Sequence, residues 1–167
     1  HSTCNWIRKM QTDMLKNLQL GPPEKIIRQT IGIFFESVSN LTNGEVPLTD
    51  LVISRRVRKR PEEYRVSNLT LAALLRGKLL GQEDLLGRKT HFVVVNGSRG
   101  EPVDRIRLRS EINSNCSSSA INRDGIEFYK ALALRASLSI LSPFGITEDI
   151  LLNGGLVQTT IDEWSSR

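Results

Sequence analysis

Five cations lie within six residues of the segment 55–60: Arg55, Arg56, Arg58, Lys59 and Arg60. Cations this close repel one another when the chain compacts, and a polyanion is the simplest partner that offsets the repulsion. Guanidinium and ammonium groups grip phosphate oxygens without reading base sequence. A solvated basic surface with no ligand is the alternative that this segment alone leaves open. The chemistry it favours is binding, not bond making.

A second basic pattern follows at residues 103–109, VDRIRLR. Successive side chains of a strand point to opposite faces, so the alternation predicts a strand with Ile106 and Leu108 on one face. The other face would carry Val103 and three arginines: Arg105, Arg107 and Arg109. An exposed sheet face looks the same without a ligand. Two basic surfaces nevertheless favour a grip on an extended polyanion.

Residue types that catalyse or bind metals are sparse and badly spaced. Cys4 and Cys116 are far apart, with no CxxC pattern, and neither His1 nor His91 adds a ligand spacing, so we expect no structural zinc. Reduced thiols are the default expectation, although one disulfide is possible. A two-metal site needs converging carboxylates, and these are scattered: Asp104, Asp124 and Glu127. We therefore expect no catalytic residue, no metal and no resident cofactor in this chain.

The elements that must position these residues follow from hydrophobic periodicity and from helix-capping residues. Apolar residues at helical spacing predict helices at 4–19 and 23–41, joined by Gly21-Pro22-Pro23 as an antiparallel hairpin. A short helix is expected at 68–80 with Asn68 as its cap, and a long helix at 124–141. Thr147 should cap a further short helix.

The strand predictions are an extended segment at 51–58, a clear strand at 91–96, and its hairpin partner at 103–109. Residues 110–121 are serine-rich and predicted to be a mobile loop. The chain of 167 residues, 39% hydrophobic with net charge +5, suits one globular domain, and no apolar run is long enough to span a membrane. The prediction is an α+β, mainly helical domain over 1–167: a helical hairpin (1–45), a small antiparallel β-rich part with one short helix (46–121), and C-terminal helices (122–167).

The order of these motifs resembles the thumb, the C-terminal domain, of family B DNA polymerases. LVISRRVRKRPEEYR at 51–65 is similar to the segment that opens the β part of the thumb. Cys4-Asn5-Trp6 stands where many archaeal members carry Arg-Asp-Trp. Further matches are His91-Phe92-Val93-Val94-Val95, Asp104-Arg105, the helix start at Asp124, Glu127, Phe128 and Tyr129, and the ending at Gln158 to Trp164. Phe128 in place of the first tyrosine and the serine-rich loop mark a divergent member.

The resemblance implies a domain that holds the primer–template duplex along its backbone during replication or repair, and that supports processivity and proofreading. The palm of such polymerases carries the catalytic aspartates and their Mg²⁺. These aspartates have no counterpart here, so the chain alone is expected to be inactive. Its implied partners are duplex DNA and the palm and remaining domains, or a large subunit, inside the cell with the chromosome. The alternative is a protein-docking small subunit of a split or inactivated polymerase.

The residues expected to contact or approach DNA fall into three groups. The first strip is Arg58, Lys59, Arg60, Tyr64 and Arg65. Arg105 and Arg107 form a second strip. The residues expected to shape the approach to DNA are Asn122, Arg123, Asp124 and Tyr129.

Overall fold

The computed structural model describes residues 3–21, 23–96 and 100–153. The chain divides into two compact units. Unit 1 comprises the residues up to Trp6 together with Asn40–Tyr129, and unit 2 comprises Ile7–Ser39 together with the residues from Lys130 onward. Neither unit is continuous in sequence. The assignment of 1–167 to one thumb domain stays a prediction.

The predicted fold class, α+β and mainly helical, is confirmed. The described residues form five α-helices: α1 (Asn5–Asn17), α2 (Pro23–Thr42), α3 (Leu69–Leu79), α4 (Arg123–Leu141) and α5 (Glu148–Leu152). They also form a three-stranded antiparallel sheet of β1 (Ile53–Arg56), β2 (Lys89–Val94) and β3 (Ile106–Leu108), in that spatial order. Each predicted helix and the predicted β2–β3 hairpin are present.

Local capping explains where several helices begin and end. The side chain of Asn68 accepts a hydrogen bond from the backbone N–H of Leu71 at the start of α3, as predicted. Thr147 does the same for Ile150 at the start of α5. After α2, Gly44 adopts a positive φ of 75° and lies so close to Ser119 that a Cβ would sit 2.9 Å from the serine Cβ.

Unit 2 is held by an apolar core with a few buried or partly buried hydrogen bonds between helices. Asn17 near the end of α1 donates to the Ile26 carbonyl at 3.0 Å and to the Thr30 hydroxyl at 2.9 Å, which joins α1 to the first turns of α2. Ser137 of α4 donates to the sulfur of Met10 at 3.7 Å. The core side chains are Ile7, Met10, Met14, Ile26, Ile27, Ile31, Phe34, Ala133, Leu141, Ile146 and Leu151.

Unit 1 is built around the sheet. The register pairs Ile53 with Phe92 and Phe92 with Leu108, and all three side chains are buried. One face of the sheet is therefore core, as the alternation of β3 predicts. On the other face, Ser54 and His91 are paired, with the serine hydroxyl 2.6 Å from the histidine Nδ1.

Two of the strand and loop predictions are wrong in extent. The segment 103–109 is a strand only at Ile106–Leu108; Pro102–Asp104 and Arg109–Glu111 are 3₁₀ turns. Residues 110–121 are not an open loop throughout. Ser118 is buried, its backbone N–H donates to the Val46 carbonyl at 2.7 Å, and its hydroxyl accepts from the Val46 N–H at 3.3 Å. The β2–β3 turn residues 97–99 and the motif at Gln158 to Trp164 lie outside the described residues.

Candidate nucleic-acid interface

The paired strands β1 and β2 continue as a ribbon beyond their last sheet residues. The Val57 N–H donates to the Arg88 carbonyl at 2.8 Å, and the Gly87 N–H donates to the Val57 carbonyl at 2.9 Å. Val57 is buried and anchors this end, whereas the residues on either side of it are exposed. The ribbon therefore presents its basic side chains to solvent from a fixed backbone.

Five exposed cations gather at this end of the ribbon, which we call the ribbon-end cluster: Arg55, Arg56, Arg58, Arg88 and Lys89. The register places Arg56 directly opposite Lys89. Like charges directly opposite one another destabilise a strand pair. Within the described part of the chain, none of the five takes part in an ion pair. Sequence reasoning missed Arg88 and Lys89, because only the strand register brings them to the predicted segment.

The predicted strip from Arg58 to Arg65 shares Arg58 with the ribbon-end cluster, but part of the strip is already paired. The exposed turn Pro61–Glu63 is closed by the Arg60 N–H, which donates to the Glu63 carboxylate at 2.6 Å. The Arg60 guanidinium lies 3.9 Å from Asp84, with both side chains about 60% exposed. A pair this exposed contributes ~0–1 kcal/mol, so a ligand can compete for Arg60.

Tyr64 is half-buried at the end of the same strip. The Lys59 ammonium lies 5.9 Å from the centre of its ring, within the range of a cation–π contact. Burial, and next the neighbouring Glu63 carboxylate, raise the pKa of Tyr64, so the hydroxyl stays protonated at neutral pH. Arg65 is exposed. The strip can thus offer cations and one hydroxyl donor.

The predicted second strip does not form as a row of three arginines on one strand. Arg105 follows a 3₁₀ turn with helical dihedrals (φ −71°, ψ −26°), and Arg109 begins another turn. Arg107 alone lies in β3, half-buried, where its guanidinium donates to the Ile106 carbonyl at 2.9 Å. Short turns on both sides break the period-two pattern. Arg105 and Arg107 are both half-buried, and neither joins the ribbon-end cluster.

The start of α4 forms a polar cleft of about 610 Å³ at the end of β2, lined by Asn96, Asn122, Arg123, Asp124 and Glu127. The side-chain amide of Asn122 donates to that of Asn96, which in turn donates to the Asp104 carbonyl at 2.7 Å. Gly125 allows the helix to begin here, since a Cβ would lie 2.6 Å from the Val95 carbonyl oxygen. The structure therefore brings Asn122, Arg123 and Asp124 together, with Asn96 as a member that the sequence did not indicate.

Tyr129 does not belong to an exposed surface, which corrects its prediction as a residue near DNA. It is fully buried, and its hydroxyl donates to the Leu51 carbonyl at 2.7 Å and accepts from the Val94 N–H at 3.0 Å. The sheet register would pair these two backbone groups directly if β1 extended two residues further back. The hydroxyl thus continues the β1–β2 ladder from a helix side chain. Burial raises the pKa of Tyr129, so the hydroxyl remains a donor.

One ion pair in unit 1 was not indicated by the sequence. Arg76 of α3 donates through Nε and Nη2 to the two carboxylate oxygens of Glu111, each at 2.6 Å, and through Nη1 to the Val103 carbonyl at 2.7 Å. The hydrogen bond from Arg76 lowers the pKa of Glu111. The same bond raises the pKa of Arg76. These contacts tie α3 to the turns on both sides of β3, so this arginine supports the fold.

The described residues contain no group of three or more His, Cys, Asp or Glu side chains that could hold a metal ion. Cys4 is buried and Cys116 half-buried, and both are thiols. None of the helices among these residues is both long and apolar enough to cross a bilayer. The features that stand out in unit 1 are therefore cationic and amide groups at two places on its surface.

Comparison with known proteins places these features in a family context. No protein-family model matches the chain. The sequence is 24% identical over 174 residues to a DNA polymerase of Archaeoglobus fulgidus, covering 98% of this chain and 21% of that protein. The fold is similar to the family B DNA polymerase of the hyperthermophilic archaeon Pyrobaculum calidifontis, with a TM-score of 0.65, 17% identity, and coverage of 83% of this chain and 18% of that one.

Both similarities confirm the resemblance to archaeal family B DNA polymerases that the sequence motifs indicate. The chain spans about a fifth of the length of each of these relatives. The region of each relative that it matches is therefore one part of a longer polymerase.

Proposed function

We propose that this chain is the thumb of a family B DNA polymerase, which grips the backbone of the primer–template duplex through the ribbon-end cluster and the strip from Arg58 to Arg65. The observation that carries the proposal is the Arg56–Lys89 pair, which sets two cations face to face in a group of five that has no ion pair within the described residues. A phosphate bound between them would turn this repulsion into attraction. The similarity to archaeal polymerases supports duplex DNA as the proposed polyanion.

The geometry supports positioning without sequence reading. Guanidinium and ammonium groups contact phosphates, fix the register of a duplex and carry no base information. In this proposal the duplex continues from the ribbon-end cluster past Arg105 and Arg107. It then passes three residues of the cleft: Asn122, Arg123 and Asp124. The cleft offers amide groups suited to sugar or base edges, and its own charge is net negative, so it contributes little to phosphate binding.

Catalysis is assigned to a palm outside this chain. The primer end would be extended there by catalytic aspartates and Mg²⁺, while the thumb keeps the duplex bound between additions. The chain alone is therefore proposed to be inactive as a polymerase, to bind DNA at the chromosome, and to act beside the palm and the remaining polymerase domains or a large subunit.

A salt-dependent DNA titration tests the proposal. We expect duplex DNA with a recessed 3′ end, followed by fluorescence anisotropy, to bind weakly and without sequence preference. In the variant Arg56→Gln/Lys89→Gln, the slope of log affinity against log salt should become shallower by about 0.9, since the pair is proposed to hold one phosphate and each phosphate contact contributes ~0.9. Lys25→Gln/Arg135→Gln removes the same charge from exposed positions of unit 2 and should change the slope much less.

Two results would count against the phosphate grip. One is an affinity that does not fall with salt, and the other is equal slopes for the two double variants. A folded chain that binds no duplex even at low salt would favour the alternative, a protein-facing subunit of a split or inactivated polymerase.

A further inference from the structure

The end of α3 and the loop that follows it carry three exposed leucines, and nothing in the DNA-binding proposal uses them. We call residues 79–86, LLGQEDLL, the leucine loop. Leu79 is 68% exposed, Leu80 49% and Leu86 43%. Isolated exposed leucines are ordinary on protein surfaces, but three within eight residues form a local apolar surface.

The leucine loop has a defined backbone conformation. The Gln82 N–H donates to the Gly77 carbonyl at 2.8 Å, and the Arg88 N–H donates to the Leu85 carbonyl at 2.8 Å. Within the loop, the Asp84 carboxylate accepts from the Leu86 N–H at 2.9 Å. The leucines are therefore presented in fixed positions, which lowers the entropy cost of binding a partner.

A cleft of about 470 Å³ opens beside the leucine loop, between α3, the turn Pro61–Glu63 and the loop itself. This volume lies in the range of ~300–1,000 Å³ that is usual for binding pockets. On its α3 side, Ala73, Leu74 and Gly77 form a shallow apolar surface, and Lys78 lies beside them. The cleft is large enough to receive apolar side chains of a partner. The leucines beside it would contact the partner next to those side chains.

The charges around the cleft indicate the charge of the partner that it would bind. The leucine loop contains Glu83 and Asp84 and no cation, although the chain as a whole carries a net charge of +5. Glu62 adds a third carboxylate to the cleft, against two cations, Arg60 and Lys78. With one carboxylate in excess, this surface favours Lys and Arg side chains over a phosphate backbone. It therefore fits a basic partner, in contrast to the ribbon-end cluster.

We propose that the leucine loop and its cleft are a docking site for a basic amphipathic helix of another protein. A helix is favoured over an extended peptide because the cleft is lined by a helix, a turn and a loop, with no strand edge to pair with. A helix satisfies its own backbone and can lay an apolar face into such a groove. A small ligand in the cleft would leave the three leucines exposed.

A labelled peptide tests the docking site without any need for DNA. The probe is a leucine-rich helical peptide about four turns long with arginines flanking its apolar stripe. We expect it to bind with roughly micromolar affinity. Leu79→Ser/Leu80→Ser and Glu83→Lys/Asp84→Lys should each weaken binding at least about tenfold. The matched controls Leu152→Ser and Glu101→Lys alter an exposed leucine and an exposed carboxylate elsewhere and should have no effect.

Several outcomes overturn the docking site: no binding of the peptide, equal binding to the serine double variant, or equal binding of a peptide in which the arginines are glutamates. Circular dichroism confirms that each variant is folded. Loss of duplex DNA binding in Leu79→Ser/Leu80→Ser would also overturn it, because the loop would then belong to the nucleic-acid interface. If duplex DNA does not bind but the peptide binds as expected, the proposed function is refuted and the docking site is not.

Discussion

Replacing Tyr129 with phenylalanine removes one oxygen atom and leaves the buried ring in place. That oxygen lies between the Leu51 carbonyl and the Val94 N–H, at 2.7 and 3.0 Å. The ring makes an edge-on contact with Phe128, with centroids 5.2 Å apart, which the substitution keeps. The change therefore tests the two hydrogen bonds separately from hydrophobic packing.

The expected cost follows from the two backbone groups that lose their partner. A buried donor or acceptor left unsatisfied costs ~1–3 kcal/mol. Water is excluded at this site, since the tyrosine is fully buried. Leu51 lies two residues before β1 and Val94 ends β2, so the two backbone groups can pair directly only if these segments move together, which recovers part of the loss. We therefore expect the free energy of unfolding to fall by about 2–4 kcal/mol in Tyr129→Phe.

Urea denaturation followed by circular dichroism measures this loss, and the slope against urea should stay unchanged if the denatured state is unaffected. The matched control is Tyr64→Phe, because Tyr64 is the other tyrosine and its hydroxyl has no hydrogen bond within the described residues. Its cost should be below ~0.5 kcal/mol. Amide exchange of Val94 should accelerate in Tyr129→Phe. Equal stability of the two variants, or unchanged protection of Val94, would refute the bridging role.

Substitutions at three further positions test the contacts that shape unit 1, with Gly32 of unit 2 as a control. Glu111→Gln should lose about 1 kcal/mol of stability at neutral pH. Because the folded pKa of Glu111 is lowered, its contribution is fully present above ~4.3 and is lost as pH falls through the folded value, so urea titrations of wild type and variant should converge in acid. Gly125→Ala should destabilise by ~1–3 kcal/mol in thermal unfolding, as its Cβ meets the Val95 carbonyl. Gly32→Ala, with open space at its Cβ, should stabilise by ~1 kcal/mol. A Gly125→Ala variant more stable than Gly32→Ala would contradict the close contact of Gly125 with the Val95 carbonyl. Asn68→Ala should cost ~1 kcal/mol in urea denaturation, whereas Asn68→Asp should retain the cap.

Local signals were sufficient for much of the fold. The spacing of apolar residues located α1, α2 and α4, and single capping residues such as Asn68 and Thr147 located the starts of α3 and α5. These features depend on residues a few positions apart, which a single sequence displays directly.

Long-range pairing limited the prediction of the candidate site. Arg88 and Lys89 join the basic segment only through the register of β2 against β1. The pattern at 103–109 alternates as a strand would, but turns replace the strand on both sides of three residues. The resemblance to polymerase thumbs placed Tyr129 near DNA, and only its contacts with Leu51 and Val94 show that its hydroxyl is committed to the fold.

The opposition of Arg56 and Lys89 gives ionic strength two contrary effects on this protein. Dissolved salt screens the repulsion at the ribbon end, so the folded chain without a ligand should become more resistant to unfolding as salt is added. The same ions compete with phosphates and weaken a bound duplex. In the proposed complex with duplex DNA, the gain in melting temperature should therefore shrink as salt is added, since the melting temperature of the free protein rises while that of the complex falls.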